Sequence, residues 1–136
     1  MKKFNSADEA EAAFYAAFSS ADLETMSTVW ADSAQAVCIH PMSAPLYGHA
    51  AIIESWSGIL NKGGGRITHQ TLYRRSEGGL AIHGIEERLM LPQGMEARMH
   101  ATHVYARDPE QGWKLLVHHA SPLQTTPQKA PGLGLH

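Results

Sequence analysis

The chain of 136 residues holds nine histidines and a single cysteine. Imidazole changes charge near neutral pH, so it can act as a general acid or base, and its neutral form binds metal ions. His40 stands first. It ends the short apolar run Val37-Cys38-Ile39-His40, and Pro41 follows it. Proline has no backbone N–H to give a strand ladder, so it stops the strand and leaves His40 at its end. There the ring either exchanges a proton with a ligand or satisfies a loop carbonyl. Cys38 shares parity with His40, but no group near it in sequence activates a thiol, so it reads as inert core.

Parity assigns the other histidines, because side chains alternate along a strand. In the run 113–121, Leu115, Val117, His119 and Ser121 share one face, and Lys114, Leu116, His118 and Ala120 the other. Lys114 marks the second face as outer, which puts His119 inside and His118 outside. In the run 95–107, Arg98 and His100 mark the polar face, so His103 and Tyr105 point inward. In 66–75, Ile67, His69, Thr71 and Tyr73 share the face read as inner. In 80–91, Ala81, Ile85 and Leu89 lean inward and carry His83 and Glu87 with them. A one-residue bulge there would bring in Glu86 instead. His40 and His103 are therefore the candidate catalytic pair. Trp30, Trp56, His69, Glu87, Tyr105 and His119 are the candidate ligand-binding residues. The two tryptophans offer either a flat apolar cavity wall or plain core packing.

The same parity removes tempting motifs. His100-x-x-His103 and His118-His119 place their rings on opposite faces. A zinc site would have to draw His40, His103 and His119 from three strands. The spacing offers no local chelate, so neither a metal nor a cofactor is expected. No nucleophile-elbow sequence is present, so a hydrolase triad has no support.

Several elements must position these groups. Ser6-Ala7-Asp8-Glu9 reads as a capping box, followed by Ala10, Ala13, Phe14, Ala17 and Phe18 at helical spacing. Ser19-Ser20-Ala21 interrupts this helix, and Asp22 caps a shorter one with Leu23, Met26 and Trp30 facing the core. A short strand at 37–40 leads into a loop at 41–47. A third helix at 48–60 presents Ile52, Ile53, Trp56, Ile59 and Leu60 on one side, and Gly63-Gly64-Gly65 ends it. The four strand runs then follow, joined by turn sequences at 76–79, 92–94 and 108–112. Short links make neighbouring strands antiparallel. Three helices before a meander of long strands argue an α+β fold with helices on one face of a curved sheet. The domain is expected at 1–122, with an extended or mobile tail at 123–136.

Charge excludes some partners. Eleven basic residues against thirteen acidic ones leave no excess of positive charge for nucleic acid or an anionic membrane. No apolar run nears the ~20 residues needed to cross a bilayer. Met1-Lys2-Lys3 is followed by the polar Asn5-Ser6-Ala7-Asp8-Glu9 rather than a signal-peptide core. One cysteine excludes an internal disulfide, and the expected location is the cytoplasm.

The layout, with Asp22-Leu23-Glu24, Trp30-Ala31-Asp32, the strand ending His40-Pro41, and the stretch from Trp113 to Pro122, resembles the SnoaL-like group. That group belongs to the nuclear-transport-factor-2-like superfamily, which also holds ketosteroid isomerases. The resemblance covers roughly residues 5 to 122. It implies a cone: a highly curved antiparallel sheet wrapped around helices, with a pocket inside the open end. It also implies homodimers paired through the outer sheet face, where Val104, Leu116 and Ala120 are expected. By the resemblance, His40 takes the place of the isomerase's basic aspartate, and His103 is nearest to its oxyanion-binding acid. The helix-one tyrosine aligns best with Phe14, with Tyr15 one position off, so the isomerase oxyanion hole is not reproduced. Family members include isomerases, dehydratases, cyclases and pure binding or association domains. Two expectations follow. One is a cofactor-independent isomerase or lyase acting on an unknown small molecule. The other is a non-catalytic ligand-binding or oligomerisation domain.

Overall fold

The computed structural model describes residues 3–63, 65–90 and 94–123. Helix α1 spans Ala7–Ser20. Ser6 caps it by accepting the Glu9 N–H at 3.1 Å, and the Glu9 carboxylate reaches back to the Asn5 N–H at 3.0 Å. Ala21 ends it in the left-handed region with φ of 54°. Asp22 then caps α2, Leu23–Val29, through the Thr25 N–H. Strand β1 is Val37–Ile39, β2 is Leu46–Tyr47, and α3 is His49–Leu60. The four long strands are β3 (Arg66–Glu77), β4 (Leu80–Met90), β5 (Glu96–Asp108) and β6 (Gly112–Pro122).

One six-stranded sheet runs β2-β1-β6-β5-β4-β3. Its consecutive long strands pair antiparallel, and β1 lies parallel to the distant β6. The fold is the expected α+β arrangement, with helices against the inner face of an open, mostly antiparallel sheet. The segment expected as a loop before α3 contains β2, which folds back on β1 through Cys38↔Leu46. The core is aromatic where α1 meets α3: Phe14 packs edge-on against Trp56 with ring centroids 5.4 Å apart. Trp30 is buried, and Ala31 donates its N–H to the Leu115 carbonyl, tying the end of α2 to β6.

Gly112 is required where it stands. Its φ is 79°, and an added Cβ would meet the Phe4 carbonyl oxygen at 2.6 Å. The β5–β6 turn therefore lets the N-terminal strand bridge lie directly on the backbone.

Two bulges decide which side chains face inward. In β3, Thr71 pairs with Ile85 and Tyr73 with Gly84, so Leu72 is the extra residue. In β6, Val117 pairs with Val104 and Leu115 with Tyr105, so Leu116 is the extra residue. Each bulge reverses parity beyond it. Tyr73, expected inside, lies on the outer face across Gly84 and stacks near His100. Ala120, expected outside, is buried on the inner face, while Val117 joins Val104 outside. Leu123 donates to the Arg98 carbonyl, and the rest of the expected tail lies outside the described residues. Among the described residues no helix is long and apolar enough to cross a membrane.

Candidate functional site

The inner face carries a continuous run of polar side chains. It starts at Glu11, which α1 buries in its inward face at 3% exposure. Its Oε1 accepts from His83 Nδ1 at 2.7 Å and from the Tyr105 hydroxyl at 3.0 Å, and its Oε2 accepts from Thr71 at 2.6 Å. These bonds fix the rest. Tyr105 spends its only proton on Glu11, so its oxygen accepts from His103 Nδ1 at 2.7 Å. His103 Nε2 is then an acceptor and takes the His118 Nδ1 proton at 2.8 Å. His118 is left with a bare lone pair on Nε2, since a neutral imidazole carries one donor and one acceptor. Burial pushes His103 well below the usual histidine range, helped by the neighbouring His118. Burial likewise pushes His118 down to about 3.

His118 lies on the wall of a cavity of about 110 Å³ between the inner face and the helices. His40, Trp56 and Glu87 share that wall with apolar Phe18, Leu89 and Met99. His40 Nε2 donates to Ser55 Oγ at 2.9 Å, because the Ser55 proton is committed to the Ile52 carbonyl. Half-burial lowers the His40 pKa and keeps the ring neutral. Glu87 moves the other way. Burial raises its carboxyl, against the pull of the Tyr15 hydroxyl that donates to it at 2.5 Å. A neutral imidazole and a carboxyl of raised pKa thus face one small, largely apolar space. Opposed shifts of this kind are the pattern that an acid–base pair uses.

Cys38 closes the β1 side. Its Sγ lies 3.6 Å from His40 Nε2, and burial pushes the thiol up to about 12, with Trp56 pulling the other way. Trp56 Nε1 makes no hydrogen bond of normal geometry among the described residues.

The structure redistributes the candidates. His40, Trp56 and Glu87 line the cavity; His103 and Tyr105 stand behind it, wired to His118. His69 sits on the outermost long strand with its ring stacked on Tyr15 at 3.9 Å, away from the cavity wall. His119 faces out and is exposed, and His118 takes the inward place. The Leu116 bulge is the reason. Lys114 does lie on the face opposite Leu115, though it is buried there and donates to the Thr28 carbonyl; the parity it sets fails only beyond Leu116. Glu87 is inside, and Glu86 pairs with Arg88 and Arg98 at 2.9 Å each on the outside. Phe14 belongs to the aromatic core, and Tyr15 is the hydroxyl that reaches the inner carboxylate. Trp30 lines a different and larger groove of about 390 Å³ beside the end of α2 and the β5–β6 hairpin, with Arg107 and Asp108. That groove exceeds the cone cavity in size but holds none of the histidine chain. Glu11, Tyr15 and His118 were missed as site residues. The spacing of Glu11 and Tyr15, four apart beside the apolar stripe, was the available signal.

A cone-shaped sheet closed by three helices, with ionisable groups gathered on its inner face, defines a nuclear-transport-factor-2-like domain. The SnoaL-like domain family matches residues 8–125, and the chain belongs to that family. A protein of Thiobacillus denitrificans named for the association domain of calcium/calmodulin-dependent protein kinase type II is 35% identical, with a TM-score of 0.84. The match covers 91% of this chain and 100% of that one. A protein of Streptomyces avermitilis named as a dehydratase of the NTF2-like family is 27% identical, with a TM-score of 0.74, over 85% of this chain and 93% of that one. A ketosteroid isomerase-like protein from Erwinia carotovora is 14% identical with a TM-score of 0.73, over 86% of this chain and 93% of that one, a likeness of fold alone. No curated protein matches the chain.

Proposed function

We propose that the cone cavity binds a small carbonyl-containing or cyclic molecule and that His40 exchanges a proton with it, as in a cofactor-independent isomerase or lyase. The observation that carries this reading is the shared wall of His40, Glu87 and His118 around one largely apolar cavity. His40 is the base. Glu87 donates a hydrogen bond or proton to the ligand oxygen, with Tyr15 holding the carboxyl in place. His118 offers its Nε2 lone pair to a ligand donor. His103 keeps His118 in the required tautomer and acts as a positioning residue. The cavity is smaller than the ~300–1,000 Å³ of most ligand sites, so the ligand is small or enters only in part. The reading has the protein acting in the cytoplasm, where Cys38 stays reduced.

The test is exchange of α-protons for deuterium in small ketones and keto acids, followed by NMR in buffer containing EDTA. The protein is expected to accelerate exchange for at least one of them. His40→Gln should lower that rate about 10²-fold or more. His119→Ala should leave it unchanged. Binding without exchange would replace catalysis by ligand storage or sensing, and absence of both would remove the cavity from the function.

A second reading has its own support. The Thiobacillus relative, 35% identical over its whole length, is named for an association domain. On the outer face Ile82, Val104 and Val117 lie side by side across three strands, and Ile82 is 39% exposed. In this reading the outer face pairs two copies as a homodimer. Sedimentation at micromolar concentration is expected to give about twice the chain mass of 14.8 kDa, and Ile82→Glu to give the monomer. A monomeric wild type would end the assembly reading.

A further inference from the structure

We propose that Cys38, His40 and His118 form a zinc site on the inner wall of the cavity, with a fourth position open toward it. One donor atom from each lies within 4.8 Å of the others. Zinc holds sulfur at about 2.3 Å and imidazole nitrogen at about 2.0–2.1 Å, which puts a sulfur and a nitrogen ~3.5 Å apart in a tetrahedron. Cys38 Sγ and His40 Nε2 stand at 3.6 Å.

The surroundings suit a metal as well as the distances do. His118 Nδ1 donates to His103, whose own Nδ1 donates to Tyr105, whose hydroxyl donates to Glu11. A metal-binding histidine typically gives its second N–H to such a partner, and this fixes the ring and raises its basicity. With Nδ1 committed, Nε2 is the nitrogen that His118 has for a metal. Trp56 adds an independent sign. It is buried on the cavity wall, and its indole N–H makes no hydrogen bond of normal geometry among the described residues; burial holds the Cys38 thiol up, and the nearby indole N–H pulls it the other way. Ser55 Oγ, 2.9 Å from His40 Nε2, can hold a water in the open position.

Two other clusters bring donors equally close, Glu87 with His103 and His118, and Asp8 with Glu11 and His83. Their atoms are already spent. The first needs His103, whose two nitrogens are both hydrogen-bonded, and the second needs Glu11, which accepts from three donors. A thiolate with two imidazoles selects zinc over magnesium or calcium, which require oxygen donors. On binding, the Cys38 proton leaves to solvent and the His40 proton moves from Nε2 to Nδ1. Zinc binding therefore leaves His40 protonated on Nδ1, with no lone pair for proton exchange, and occupies the Nε2 lone pair of His118. The site goes beyond the proton-transfer reading and does not rest on it.

The full chain, freed of metal with EDTA and then dialysed, is titrated with Co²⁺. The expected result is one ion per chain, visible d–d bands, and a near-ultraviolet sulfur-to-cobalt charge-transfer band. Added Zn²⁺ should displace the cobalt. Cys38→Ser should remove the charge-transfer band and weaken binding at least tenfold. His40→Gln, nearer the surface, should keep the band and also weaken binding at least tenfold, and it serves where Cys38→Ser does not fold. No binding by the wild type, or unchanged affinity in His40→Gln, overturns the site. The deuterium exchange in EDTA reads the other proposal alone. Saturating Zn²⁺ is expected to suppress that exchange, and undiminished exchange in zinc-saturated protein would show that the metal sits elsewhere.

Discussion

Glu11→Ala is expected to destabilise the fold by about 3–5 kcal/mol, since it leaves three hydrogen-bond donors unsatisfied at once. Glu11 accepts from the Tyr105 hydroxyl, the Thr71 hydroxyl and the His83 N–H. Alanine leaves these donors in a space that water does not reach freely. Each orphaned buried donor costs about 1–3 kcal/mol. The loss also runs beyond the groups that touch Glu11. Tyr105 no longer has a fixed direction for its proton, so it competes with His103 Nδ1, and the tautomers of His103 and His118 lose their anchor. Total stabilities of single domains are about 5–15 kcal/mol, so the variant should show a strongly lowered urea midpoint. Glu11→Gln keeps a carbonyl acceptor and should lose less. Glu54→Ala, at an exposed position on α3, should fall within about 0.5 kcal/mol of wild type. A loss below about 1 kcal/mol for Glu11→Ala would show that the chain of bonds does not hold the core together.

Glu11 also shows where sequence reading stopped. The helix was legible from Ser6, Glu9 and the spacing of Ala10, Phe14 and Ala17, because capping and amphipathic period are local properties. A buried carboxylate is not a local property. It is tolerated only because β3, β4 and β5 bring Thr71, His83 and Tyr105 to it from 60 or more residues away. The pairing of Tyr15 with Glu87 is hidden for the same reason.

The strands were legible one at a time, and their inward faces were legible up to the first bulge. β4 has no bulge against β5, and parity along it correctly separates Glu87 from Glu86. β6 has one at Leu116, and there the same reasoning exchanged His119 for His118. Nothing in Leu115-Leu116-Val117 marks the extra residue, because three adjacent apolar side chains suit either face. The Leu72 bulge in β3 is equally silent. The parallel pairing of β1 with β6 was beyond any local signal, and it is what sets His40 beside His118, with ring centroids 6.3 Å apart. The fold thus followed from period and order, whereas the site depended on two single-residue insertions and one long-range pairing.

Acid should destabilise the protein steeply between about pH 6.5 and pH 3. His103 and His118 are held neutral in the folded state, the first well below the ordinary histidine range and the second down to about 3. In the unfolded chain both take up protons near pH 6.5. Between those limits the unfolded state binds more protons, so the unfolding free energy rises with pH and is lost as pH falls. Above pH 6.5 both states are neutral at these rings and their contribution is flat. The displacement of His118 alone is worth on the order of 5 kcal/mol by the foot of the window, at about 1.4 kcal/mol per unit. His40, lowered by its half-burial, adds in the same direction. Glu87 acts oppositely. Its carboxyl is raised by burial, so as pH rises past the ordinary carboxylate range the unfolded state releases its proton first and stability falls. It is one group against several, and the net slope should be positive. Urea midpoints at pH 7, 5.5 and 4.5 measure it. His118→Gln keeps a donor toward His103 but cannot be protonated, so its midpoint should depend less on pH than the wild type's. His119→Ala removes an exposed ring on the other face, the smallest of the contributions to the His118 shift, and should keep most of the wild-type slope. A flat wild-type profile, or a slope lost in His119→Ala, would mean that the inner histidines are not held neutral by the fold.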